Sequence, residues 1–184
     1  MTGITDFDVI ETMPNAAIDK YAALVPAELA VLWTDYGLGT FRDGYLQVVN
    51  PDDWMQLVRD THRSFNPLIP IMTTALGDII GWDGELLRLL DYRHGYVRTV
   101  FTAQYFLVDV SDPKFMEEDL LWSPYPEARE RYGVPGPGQC FGYVPILGAG
   151  VPEIVDNLQI VDMRTHVELI TALMGPLDRF VSDS

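Results

Sequence analysis

The residues best suited to chemistry in this chain are three histidines, one cysteine and a handful of acid pairs. His62, His94 and His166 stand far apart, and none falls in an HxH or HxxxH spacing that would set two imidazoles on one metal. Each reads as a surface or capping residue. Cys140 is the single cysteine, so neither an internal disulfide nor a thiolate metal cluster can form. It lies in Gln139-Cys140-Phe141-Gly142-Tyr143 and reads as a small buried hydrophobe rather than a nucleophile. Glu117-Glu118-Asp119 and Asp52-Asp53 offer carboxylates of the kind used as general acid and base. Adjacent acids on a helix point in different directions, however, and acids at a helix start favour its positive end. Asp109-Val110-Ser111-Asp112 approaches an oxygen-rich cation loop but lacks the rest of an EF-hand. There is no GxSxG, no GxGxxG and no Walker A lysine. Gly148-Ala149-Gly150 follows an apolar run, yet Pro152 removes a backbone donor where a phosphate cradle needs one. It reads as a structural turn that doubles as a contact loop.

A chain of this size with no nucleophile–base constellation and no metal spacing is expected to bind a partner rather than to catalyse, and to need no cofactor. Its 184 residues suit one domain or two small lobes sharing a core. Hydrophobic residues make up 48% and charged residues 21%, ordinary globular usage that needs no disulfide or structural metal. The charge balance is less ordinary. Twelve Lys+Arg against 27 Asp+Glu leave a net charge of −15. Such a field repels nucleic acid and anionic membranes, and it favours and speeds the capture of cationic partners. The same acidity also serves plain solubility. No segment approaches the ~20 apolar residues of a membrane span. The first residues carry Asp6, Asp8 and Glu11 and no basic stretch, unlike a signal peptide. A soluble, cytoplasmic protein is expected.

The elements that would carry these residues follow from periodicity. Residues 1–12 read as mixed and loose, and the pattern turns helical from Met13. Pro26 suits a first helical turn, Leu29, Leu32, Trp33 and Tyr36 share a face, and Gly37 can end that helix. Thr40 to Arg42 and Tyr45 to Val49 read as an extended pair joined through Asp43-Gly44. Asn50-Pro51-Asp52-Asp53 predicts an N-cap, a proline at N1 and acids in the first turn of a helix running to about Arg63. After Asn66-Pro67 come short apolar and β-branched runs: Ile69 to Leu76, Asp78 to Trp82, Leu86 to Tyr92, Tyr96 to Phe101 and Tyr105 to Val108. Gly77, Asp83-Gly84 and His94-Gly95 punctuate them, which predicts an antiparallel meander. Lys114 to Trp122 and Pro126 to Tyr132 read as short helices, Phe141 to Leu147 and Asn157 to Val161 as strands, and Asp162 as the cap of a last helix ending near Met174-Gly175. The expected class is α+β. A helical N-terminal region, 1–65, packs on a mainly antiparallel sheet, 66–184, with flanking C-terminal helices, and the two form one compact unit.

Two stretches resemble a known family. The first runs through Pro26-Ala27-Glu28-Leu29, Trp33-Thr34-Asp35-Tyr36-Gly37-Leu38-Gly39, Phe41-Arg42-Asp43-Gly44-Tyr45-Leu46 and Val49-Asn50-Pro51-Asp52-Asp53. It resembles the GAD-like domain at the front of a family of bacterial toxin-immunity proteins. The second comprises Ala75-Leu76-Gly77-Asp78 with Trp82, Gln139 through Gly150, and Asn157-Leu158, and it is similar to that family's C-terminal, type VI secretion immunity domain. Many matched residues are glycines, prolines and aromatics, which determine fold rather than a site. The resemblance implies an immunity protein that inhibits a cognate secreted toxin by direct binding. Family members pair with DNases of the type VI secretion kind or with NAD(P)⁺ glycohydrolases; the second group includes the immunity factor for the tuberculosis necrotizing toxin. A length close to one GAD-like region plus one C-terminal domain favours the NAD(P)⁺ glycohydrolase, with DNase immunity as the alternative. A small enzyme with an unrecognised site, or a regulatory subunit, is the reading outside the family.

An acidic surface can occupy a toxin site that accepts NAD⁺ or DNA phosphates. Asp109, Asp112, Glu117, Glu118 and Asp119 are the expected contacts, with Trp122 as an aromatic anchor, in one irregular segment after the meander. Gly148 and Gly150 can approach a cleft closely because glycine carries no side chain.

Overall fold

A computed structural model describes residues 4–63, 67–100 and 103–181. Asn66 and Phe101, expected at the start of the sheet region and at the end of a strand, lie outside the described residues. The helix expected from Asn50 forms as α3 (Pro51–Thr61) for the reasons its sequence gives. The Asn50 side chain accepts from the Asp52 N–H, Pro51 sits at N1, and Asp52 and Asp53 occupy the first turn. Ahead of it lie α1 (Asn15–Tyr21) and α2 (Ala27–Val31). The chain leaves α2 by a π-turn over Leu32–Tyr36, which Gly37 closes at φ +86°. A β-carbon on Gly37 would meet the Glu11 carbonyl oxygen at 2.8 Å, so glycine is required there twice over.

That close approach reflects a strand that sequence alone did not suggest. Residues 1–12 were expected to be loose, but β1 (Asp8–Glu11) pairs antiparallel with β2 (Leu38–Phe41) and forms one edge of the main sheet. All four residues of β1 are exposed, so no apolar alternation marks it; its partner orders it. The sheet continues through β3 (Leu46–Val48), β4 (Ile69–Thr74), β5 (Ile79–Trp82), β6 (Leu87–Asp91) and β7 (Tyr96–Val100), each antiparallel to the last. A short final strand, β10 (Phe180–Val181), adds parallel to β7, completing eight strands in the order β1-β2-β3-β4-β5-β6-β7-β10. Strands from both sides of residue 65 therefore share one sheet.

The sheet is covered on both faces. Ile80 pairs with Leu89 and joins one core with Leu87, Leu29, Trp33, Phe106 and Tyr125. Their neighbours Ile79 and Leu90, also paired, point the other way into a second core with Leu57 and Val58 of α3 and Met163 and Val167 of α7 (Met163–Met174). Strands buried on both faces read as continuous apolar runs rather than strict alternation. Each fully buried Leu or Ile contributes about 1.5–3 kcal/mol, so the two layers hold the sheet rigid.

After β7 the chain departs from expectation. Tyr105 to Val108, whose β-prone residues predict a strand, lies in α4 (Ala103–Asp109). Ala103, Phe106 and Val110 are buried, a spacing of three and four, while Tyr105 and Val108 are exposed. The burying face, packed on α2, decides the helix. The helix expected over Lys114 to Trp122 stops sooner, as α5 (Pro113–Glu118), because Leu121 adopts φ +54°. Then come α6 (Tyr125–Tyr132), β8 (Gln139–Tyr143) and β9 (Leu158–Asp162), the last two pairing as a separate antiparallel ribbon. The strand expected to reach Leu147 ends at Tyr143, since Pro145 can donate nothing to a ladder. Asp162 caps α7 by accepting from the Thr165 N–H at 2.8 Å. Replacing Asp162 by alanine should destabilise the protein by about 1 kcal/mol, read as a lower denaturant midpoint at unchanged slope.

Candidate functional site

The turn from β6 to β7, Asp91-Tyr92-Arg93-His94-Gly95, gathers charge at the edge of the apolar sheet. Gly95 takes φ +79°, which lets the strand reverse. The Arg93 side chain is 3% exposed and Asp78, on the neighbouring turn, is 0% exposed. Arg93 donates through Nε at 3.2 Å and Nη2 at 2.8 Å to Asp78 Oδ2. Burial disfavours the charge on Arg93, but Asp78 more than offsets it and holds the guanidinium protonated. Burial pushes the Asp78 carboxyl up, against the pull of Arg93. One edge of each group is left over: Arg93 Nη1 and Asp78 Oδ1 make no hydrogen bond among the described residues, and the nearest acid to Nη1 is Glu153 at 3.9 Å.

A second cluster surrounds Asp91. His94 Nδ1 lies 2.8 Å from Asp91 Oδ1, its Nε2 lies 3.1 Å from Glu153 Oε1, and Arg98 Nε donates to Asp91 Oδ2 at 2.8 Å. Burial alone would raise the Asp91 carboxyl, yet the hydrogen bond and charge of His94, with Arg93 and Arg98, hold it below the usual range. The bond to Asp91 raises His94 above the ordinary 6.5. Through Glu153, His94 ties the sheet turn to the loop between β8 and β9. The stabilisation from this pairing is complete below about pH 6.5 and is lost as pH rises through the raised value in the folded protein. Burial lowers His62 and His166, whose contributions run the opposite way and are lost on acidification. The stability of the wild type relative to His94→Gln should therefore be larger at pH 6 than at pH 9, measured by urea unfolding at both.

Beside this turn lies a cleft of about 680 Å³. Its far wall is the segment after α7, pinned in place by the Leu177 N–H to Thr61, by the Arg63 N–H to Leu177 and by the Val97 N–H to Arg179. Gly148 forms part of its rim, in the short 3₁₀ turn Leu147–Ala149. A β-carbon on Gly148 would meet Met174 Sδ at 2.4 Å, so the close approach expected of this glycine is made to α7. Gly150 takes φ +81° and faces open space. Cys140 is fully buried, and burial pushes its thiol up to about 12, which leaves it protonated and unreactive.

The acidic segment stands elsewhere, and none of its residues lines the cleft. It is helical rather than irregular. Phe106, Phe115 and Met116 are buried beneath it, with the two phenylalanine rings edge to face at 6.1 Å. Asp109 is the last residue of α4. Asp112 caps α5, accepting from the Lys114 N–H at 2.9 Å. Glu117 accepts from Ser123 Oγ at 3.0 Å, and Glu118 lies 3.7 Å from Lys114 Nζ; both glutamates are exposed. Asp119 is the C-cap of α5 and is half-buried. Trp122 is half-buried too, its ring edge to face with Tyr45 at 4.9 Å and Tyr125 at 5.2 Å. Those contacts tie it to the core, so it offers an edge rather than a whole ring. Gly148 lines the cleft, whereas neither the acids nor Trp122 does. Neither Arg93 nor the Asp91 cluster was singled out from sequence; the only signal was charge in a turn between two apolar strands.

Among the described residues no group of three or more His, Cys, Asp and Glu could hold a metal ion, and no helix is long and apolar enough to cross a membrane. Residues 4–93 match the GAD-like domain, and residues 101–174 match the domain described as T6SS immunity protein Tdi1, C-terminal. Together they span most of the chain. In fold the chain is similar to the crystal structure of Atu4351 from Agrobacterium tumefaciens, with a TM-score of 0.74 at 19% identity over 96% of this chain and 90% of that one. No curated protein matches it.

Proposed function

Because the chain belongs to the family of toxin-immunity proteins that join a GAD-like domain to a Tdi1-type C-terminal domain, we propose that it neutralises a cognate secreted NAD(P)⁺ glycohydrolase by covering that toxin's active site. It acts by binding, without making or breaking bonds. The observation that carries the reading is the acidic surface of α4 and α5, where exposed carboxylates stand on buried Phe106, Phe115 and Met116. A site that accepts a dinucleotide pyrophosphate needs cationic groups. Asp109, Asp112, Glu117, Glu118 and Asp119 meet such groups with charge-assisted hydrogen bonds, and the exposed edge of Trp122 packs alongside. The fixed helices mean that little side-chain and loop freedom is lost on binding. Gly148, on the rim of the cleft, and Gly150 serve as a second point of backbone contact.

A DNase is the second reading, because DNA phosphates demand the same cationic site and residues 101–174 match a type VI secretion immunity domain. Expression of the toxin domain encoded beside this gene, with and without this protein, separates the two. Loss of cellular NAD⁺ that co-expression restores supports the first reading, and chromosomal nicking that co-expression prevents supports the second. If co-expression prevents neither and the toxin still kills, toxin neutralisation is wrong for this pair.

A further inference from the structure

The cleft beside the β6–β7 turn runs against the charge of the whole chain. In a protein of net charge −15, it collects Arg63, Arg93 and Arg179 of the ten arginines, together with His94. Among the described residues Asp178 is the one carboxylate in its lining, with Glu153 standing against Arg93 and His94. Most arginines elsewhere are spent on acids: Arg88 on Asp83, Arg98 on Asp91, Arg129 on Asp43 and Arg131 on Glu127 and Asp156. Arg63 and Arg179, by contrast, make no ion pair among the described residues, although 27 acids are available to the chain. Backbone bonds hold both segments in place, and the exposed guanidinium groups have no acid within ion-pair distance among the described residues. Deeper in, both bonds from Arg93 to Asp78 leave from its Nε–Nη2 edge, and Nη1 is buried without a hydrogen-bond partner. The Tyr143 hydroxyl lines the same cleft and is buried beside Glu153. Opposite these groups the wall is apolar, formed by Ile146, Leu147, Ile170, Met174 and Leu177.

We propose that this cleft is a binding site for a small organic phosphate, held by Arg63 and Arg179 over the Arg93 floor with its organic part against the apolar wall. Several guanidinium groups lining one cleft suit a dianion better than a single carboxylate, which one arginine fork satisfies. The buried Arg93 Nη1 is a polar atom of the kind whose unmet hydrogen bond is costly unless a ligand supplies it. A volume of about 680 Å³ takes a body the size of a mononucleotide. The phosphate contacts proposed, Arg63, Arg93 and Arg179, take no part in the proposed toxin contacts, so each reading can fail alone.

The test is a titration of the full chain with adenosine monophosphate, followed through the backbone amide resonances of Gly95, Gly148 and Gly175, all of which line the cleft. Saturable shifts at those three glycines are expected, with affinity at least tenfold weaker in Arg63→Gln/Arg179→Gln. Arg129→Gln, which removes a cation from α6, should change it less than twofold. Inorganic phosphate should bind at least tenfold more weakly than the nucleotide, because it leaves the apolar wall bare. The double variant's unchanged thermal unfolding without ligand shows that it is folded, and Arg179→Gln alone should show a partial loss. Shifts that do not saturate, or an equal loss in Arg129→Gln, would overturn the proposal. So would phosphate binding as tightly as the nucleotide.

Discussion

Replacing Asp78 by alanine should destabilise the protein by about 3–5 kcal/mol, because it leaves the buried Arg93 guanidinium without the carboxylate that holds it. Against a total stability of about 5–15 kcal/mol, that loss brings the chain near its unfolding threshold. Arg93 has few alternatives. Glu153 lies 3.9 Å from Nη1 but is already engaged by His94, and the Leu121 carbonyl is 3.5 Å from Nη2. The double substitution Asp78→Leu/Arg93→Met removes both charges and keeps the volume, so it should cost less than Asp78→Ala alone. Urea unfolding of the three proteins measures both statements. A single variant that loses under about 1 kcal/mol would mean that water reaches the pair and that it does not organise the turn.

The second large effect concerns the partner. Reversing charge at Glu117, Glu118 and Asp119 together, each to lysine, should slow association with the toxin about 10–100-fold at low salt. The effect should shrink as ionic strength rises, since exposed charges are screened over about 8 Å at physiological salt. Dissociation should change less than association, because steering acts before contact. Stopped-flow or surface-binding kinetics at two salt concentrations separates these rates, and the unfolding midpoint of the free variant checks that α5 survives. Association unchanged at low salt would remove α5 from the interface.

What sequence reveals here, and what it hides, follows the range of the interactions. The α3 cap needs only Asn50, Pro51 and the two aspartates that follow, all adjacent, and it is read correctly. The same holds for β4 to β7, whose apolar runs are separated by Gly77, Asp83-Gly84 and His94-Gly95, and for α7 with its Asp162 cap. Where a distant partner decides, local reading fails. Tyr105 to Val108 has strand composition, but packing on α2 selects the helix that buries Phe106. The exposed strand β1 exists only because β2 lies beside it. The acidic residues of α4 and α5 are visible as acids at once, whereas their footing on Phe115 and Met116 and the tethering of Trp122 to Tyr45 appear only in three dimensions. The cleft is hidden more deeply still. Its walls join Arg63 to Leu177 and the β6–β7 turn to α7, and no motif announces that meeting.

The central claim is that this protein silences a toxin by covering its active site. The most direct measurement titrates the purified protein into the toxin domain encoded beside it while following NAD⁺ consumption. Activity should fall linearly and vanish near one equivalent, and the Glu117, Glu118 and Asp119 charge reversal should need a larger excess at low salt. Full NAD⁺ turnover in the presence of a large excess of folded protein, by a toxin that does consume NAD⁺, would contradict the account.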